Sequence, residues 1–130
     1  MNAECGELST FMAELQEFEP YAYFDKHMDC IRVKLADCSV TERRMNRIFT
    51  MLVPNDSAMG DKAVGVTIKG VAHLFDRCGL PMVGIVSLAS IIDAIVKCFR
   101  DASAVRIQEE MATAISKLQV NFDDAEVVAA

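Results

Sequence analysis

The run Asp25-Lys26-His27-Met28-Asp29-Cys30 gathers two carboxylates, an imidazole and a thiol within six positions. If the run is extended, Asp25, His27 and Asp29 project to one face, because side chains alternate along a strand. An imidazole titrates near neutral pH and takes its orientation from a neighbouring acid. Such a trio suits proton transfer or a weak metal site. The same residue types also describe a polar strand entrance at the surface. The chain has only two histidines, His27 and His73. Any serine or cysteine nucleophile in need of a base must borrow one of them. His73 lies in a helical stretch near Asp76 and Arg77, the usual setting of a structural histidine. No H-x-x-x-H or H-E-x-x-H spacing occurs, and the sequence carries no cofactor or metal motif.

A second group is Arg43, Arg44 and Arg47. On a helix, Arg43 and Arg47 stand one turn apart and form a local anion-binding patch. On a strand they share a face and Arg44 opposes them. In a net acidic chain arginines most often serve salt bridges, and contact with nucleic acid or another anion is the alternative. Gly60-Asp61-Lys62-Ala63-Val64-Gly65 imitates the glycine spacing of a phosphate-binding loop. The lysine that should follow is replaced by Val66, so the charge that grips terminal phosphates is missing. Residues 70–79 and 87–99 imitate a helix-turn-helix, but the second segment is isoleucine and valine with charges only at Asp93, Lys97 and Arg100. A helix of that kind belongs in a core and not in a DNA groove.

The five cysteines, Cys5, Cys30, Cys38, Cys78 and Cys98, form no C-x-x-C pair. An odd number cannot pair completely within one chain. The expectation is therefore reduced thiols in a cytoplasmic protein, with one thiol free to link two subunits. The first residues lack the basic patch and apolar run of a signal peptide. The longest uncharged run, residues 78–92, is shorter than the ~20 residues a membrane helix needs, and Gly79, Pro81 and Gly84 interrupt it. No membrane association is expected. Asn55-Asp56-Ser57 matches a glycosylation sequon, which has no meaning in the cytoplasm.

The elements that must position these groups follow from periodicity. The chain has 130 residues, is 52% hydrophobic and carries a net charge of -6. That is enough apolar material for one core and too little length for two, so residues 1–130 are read as a single domain. The acidic charge is concentrated at the ends. Residues 1–25 hold six acidic residues and no basic one, whereas residues 26–50 hold six basic and three acidic. Leu8, Phe11, Met12, Leu15 and Phe18 predict an amphipathic helix over residues 8–18, ended by Glu19-Pro20. Ile31, Val33 and Leu35 alternate with Arg32 and Lys34, which predicts a half-buried strand. Residues 40–53 read either as a helix or, from residue 47, as a strand. Residues 63–68 favour a strand, which makes the turn-rich stretch 54–61 a hairpin loop. Helices are predicted over 70–78 with Gly79 as cap, 88–99 with Ser87 as cap, and 104–118 with Ser103 as cap. The tail beyond Val120 is read as mobile or docked on a partner.

These elements predict an α+β fold. It has a small antiparallel sheet of about three strands, with an N-terminal helix and two or three C-terminal helices. The strands run as a meander without a crossover, and the alternative is a mostly α bundle. Eight methionines and the apolar excess suit an adaptable contact surface. The expected function is a non-catalytic homodimeric binding module for a protein partner or an apolar small ligand. The alternatives are a small enzyme using His27 with Asp25 or Asp29 and possibly Cys30, and an anion or nucleic-acid binder through Arg43, Arg44 and Arg47, with nucleic acid the less favoured.

Overall fold

The computed structural model describes residues 18–56, 60 and 62–123. The helix predicted over residues 8–18 lies, but for Phe18, outside the described residues. Five strands form one antiparallel sheet: β1 (Tyr21–Asp25), β2 (Cys30–Lys34), β3 (Val40–Arg44), β4 (Phe49–Pro54) and β5 (Gly65–Lys69). Three helices follow, α1 (Val71–Cys78), α2 (Leu88–Phe99) and α3 (Ala102–Ile115). Two short strands, β6 (Ile85–Ser87) and β7 (Gln119–Asn121), pair with each other as a second sheet.

The architecture is α+β, but the expected sheet of about three strands is wrong, and so is the mostly α alternative. The large sheet has the order β1-β2-β5-β4-β3. The meander is corrected too: β5 and not β4 occupies the centre, between β2 and β4. The chain crosses from β2 to β3 at the far edge through residues 35–39. Three strand spacings are about 14 Å, and the six steps from Lys34 to Val40 could reach about 20 Å if extended, so the crossing has room for the bends at residues 36–38. It is tied down where the Leu35 N–H donates to the Val64 carbonyl at 2.7 Å and the Asn55 N–H to the Ser39 carbonyl at 2.9 Å.

Strand alternation explains the core. One face of the sheet presents Ile31 and Val33, Val66 and Ile68, and Phe49, Met51 and Val53, all buried. The helices cover this face with Val71, Leu74 and Phe75, then Leu88, Ile91, Ile92 and Ile95, then Ala104, Ile107, Met111 and Ile115, in a single apolar cluster. The spacing predicted for residues 88–99 is the spacing that is buried, and the Ser87 hydroxyl accepts the Ser90 N–H as its cap at 3.1 Å. Gly79 ends α1 in the left-handed conformation at φ 68°. The opposite face of the sheet carries Tyr23, Arg32, Thr67, Thr50 and Arg44 in one row across the strands.

Two predicted helix limits shift. The cap of α3 is Asp101, whose carboxylate accepts the Ala104 N–H at 2.9 Å, and not Ser103. The helix ends at Ile115, which frees residues 119–121 to pair with β6. The segment beyond Val120 therefore begins inside the fold. The Phe122 ring packs at a tilt on Phe24, centroids 5.1 Å apart, and edge-on against Phe75 at 5.0 Å, joining the second sheet to the first and to α1.

Candidate functional site

Asp25 closes β1, and residues 26–29 form the turn into β2. Alternation along a strand therefore does not carry Asp25, His27 and Asp29 to one face. His27 stands exposed in the turn. The Asp25 carboxylate accepts the Met28 N–H at 3.1 Å and faces the Arg32 guanidinium at 3.4 Å. These donors, Met28 first, hold its pKa below the ordinary carboxylate value. Asp29 has φ 49° and points the other way. Its carboxylate accepts the Ala72 N–H at 3.0 Å, and its carbonyl accepts the Gly70 and Val71 N–H groups at 3.0 and 3.2 Å. It thereby serves the first turn of α1, whose own cap residue, Gly70, has no side chain to offer. Cys30 is buried at the start of β2, and burial pushes its thiol pKa up.

The three arginines separate. Arg43 and Arg44 are consecutive on β3, opposite Met51 and Thr50, and so emerge on opposite faces of the sheet. Arg47 lies in the β3–β4 turn. There it joins groups that the sequence reading did not connect with it. Arg47, Lys69 and His73 line one hollow of about 530 Å³, together with Asn46, Ile48, Gly70, Leu74, Phe99 and Asp101.

Five parts of the chain build this hollow: the β3–β4 turn, the end of β5, α1, the end of α2 and the start of α3. Asn46 shapes the turn, with its amide oxygen accepting the Ile48 and Phe49 N–H groups at 2.9 and 2.8 Å. Its amide nitrogen donates to both Asp101 carboxylate oxygens, at 3.2 and 3.0 Å. One asparagine thus ties the β3–β4 turn to the start of α3. The Lys69 N–H donates to the Ile48 carbonyl at 2.7 Å, which brings the end of β5 alongside the turn. Asp29 fixes the first turn of α1, from which His73 projects. Arg47, Lys69 and His73 are exposed at the rim, whereas Ile48, Leu74 and Phe99 are buried or half-buried below them. Two fixed cations and an imidazole stand against one carboxylate, and that carboxylate already accepts from Asn46 and Ala104. The arrangement suits an anionic head over an apolar floor.

Asn46 is a turn-forming residue type, but nothing in the sequence points to its partner Asp101, 55 residues away. A larger hollow of about 770 Å³ lies between residues 62–64, residues 35–36 and the second half of α3. Its charged rim is mixed, with Glu19, Glu109 and Glu110 against Lys62 and Lys117, and it favours no one sign of ligand. Among the described residues no cluster of three or more His, Cys, Asp or Glu is placed to hold a metal. Nor is any helix there long and apolar enough to cross a membrane. Compared with known protein families, curated proteins and solved structures, the chain matches none.

Proposed function

We propose that this chain is a non-catalytic binding module, and that its ligand is a small amphiphilic anion seated between Arg47, Lys69 and His73. The observation that carries the reading is the convergence of these three basic side chains, from a turn, a strand end and a helix, over Ile48, Leu74 and Phe99. A carboxylate or phosphate head would meet the cations, and its apolar body would displace water from the floor. Unpaired cysteines at positions 30, 38, 78 and 98 support a reducing, cytoplasmic setting. Titration with decanoate, followed by amide NMR shifts, tests the proposal. Decanoate is expected to move the resonances of Ile48, His73 and Phe99, and to bind more tightly than inorganic phosphate or decanol. Replacing Arg47 and Lys69 together by glutamate should weaken decanoate binding by at least about thirtyfold. Equal binding by that variant would remove the reading.

Homodimer formation is the second part of the proposal. Val83 and Ile85 are 62% and 63% exposed, and β6 has β7 as its one strand partner among the described residues. An apolar strand edge of this kind favours pairing with a second copy. Light scattering on eluting protein at tens of micromolar should give a dimer mass, and Ile85→Asp should give a monomer. A monomer from the unaltered chain refutes the dimer.

A further inference from the structure

Cys78 is the last residue of α1, and Cys98 is the last but one of α2. Twenty positions separate them in sequence, yet the fold sets them side by side. The Cys98 thiol donates to the carbonyl of Arg77, the residue before Cys78, at 3.3 Å. The Cys78 thiol donates to the carbonyl of Ala94, one helical turn before Cys98, at 3.7 Å. Each sulfur therefore reaches the backbone beside the other cysteine. Burial first, and then hydrogen bonding with the Cys98 thiol, pushes the Cys78 pKa up to about 11. Cys98 is exposed and Cys78 is partly covered, so a reagent from solvent meets Cys98 first.

We propose that Cys78 and Cys98 are a redox-active pair that closes to an intramolecular disulfide by exchange with a small-molecule disulfide of the glutathione class. In the first step the Cys98 thiolate attacks one sulfur of the small disulfide. The small S–S bond breaks, one small thiolate leaves and takes up a proton, and a mixed disulfide stands on Cys98. In the second step Cys78 loses its proton to solvent and attacks the Cys98 sulfur. The Cys78–Cys98 bond forms and the second small thiolate departs. The protein has lost two protons and two electrons, and one small disulfide has become two thiols. Attack by Cys78 requires its thiolate, so the second step speeds up as pH rises. Closure would tie the end of α1 to the end of α2 and constrain the intervening chain, including β6. Transient disulfides of this kind are the sort compatible with a reducing compartment.

The test uses reduced full-length protein incubated with oxidised glutathione, quenched by alkylation, digested without reductant and mapped by mass spectrometry. The expected product is a linked pair of peptides containing Cys78 and Cys98, with Cys5, Cys30 and Cys38 alkylated, and dithiothreitol restores both thiols. Closure should raise the thermal midpoint by roughly 5–10 °C. Cys78→Ser should stop at one glutathionyl group on Cys98. Cys98→Ser should block the reaction. Three results would overturn the proposal: a mixed disulfide that persists on Cys98 in the unaltered chain, a Cys98 link between two chains, or a bridge through another cysteine. The peptide map of the unaltered protein decides the matter even if a serine variant fails to fold.

Discussion

Phe49→Ala is expected to lower the unfolding free energy by about 4 kcal/mol. The Phe49 ring is fully buried at the start of β4, opposite Ile68 of the central strand. It belongs to the same apolar cluster as Val71, Leu74 and Ile95, so it lies where sheet and helices meet. Truncation removes the transfer energy of the ring and leaves a void. The neighbours cannot collapse into it, because β-strand backbones on both sides are held by hydrogen bonds. Small domains have only about 5–15 kcal/mol in total, so the variant should be marginal. Urea unfolding followed by circular dichroism measures the change, and a loss below about 1 kcal/mol would contradict this account of the core. Because Ile48 and Asn46 adjoin Phe49, decanoate binding should fall with it.

Gly65→Ala is the second large effect, at about 3 kcal/mol destabilising. Gly65 opens the central strand, where a Cβ would stand 2.3 Å from the Val33 carbonyl oxygen and 2.9 Å from Leu52 Cδ1. The first of these is backbone, and the obstruction lies between β2 and β5, so relief requires prising the central strand from its neighbour. Gly79 is the useful comparison. It needs its positive φ, but a Cβ there would meet nothing within 4 Å. Gly79→Ala should therefore cost only about 1 kcal/mol. The same unfolding measurement ranks the two, and a reversed ranking would show that the close approach at Gly65 costs less than the positive φ at Gly79. The glycine spacing around residues 60–65 thus has a packing cause at its second glycine.

Much of the helical part was legible in the residues. Leu88, Ile91, Ile92 and Ile95 recur at helical spacing, and they are the buried face of α2. Gly79 and Ser87 mark element ends by local chemistry. The strands were half legible. β2 and β5 are buried and apolar enough to announce themselves, but β1 and β3 are edge strands. Val-Thr-Glu-Arg-Arg in β3 is almost wholly exposed, and no apolar alternation exists to be read there. Missing both edges reduced five strands to three. The order of strands was equally hidden, since the crossing through residues 35–39 leaves no trace in hydropathy.

The candidate site was less legible than the fold. Arg47 was singled out, but with Arg43 and Arg44, its neighbours in sequence. Its neighbours in space are Lys69 and His73, from a strand end and a helix. Asp25 and Asp29 looked like partners for His27, yet one carboxylate serves a turn and Arg32, and the other serves α1. Cys78 and Cys98 looked unrelated at a separation of twenty.

The sequence by itself determined the three helices α1, α2 and α3 to within a few residues, and which of their faces are apolar. Those properties depend on neighbours within a turn or two, and periodicity records them. Only the tertiary structure decided which strand is central, which basic groups share a hollow, and which two thiols meet. Those outcomes depend on contacts between residues tens of positions apart. Such contacts are selected by the packing of whole elements, and no local pattern encodes them.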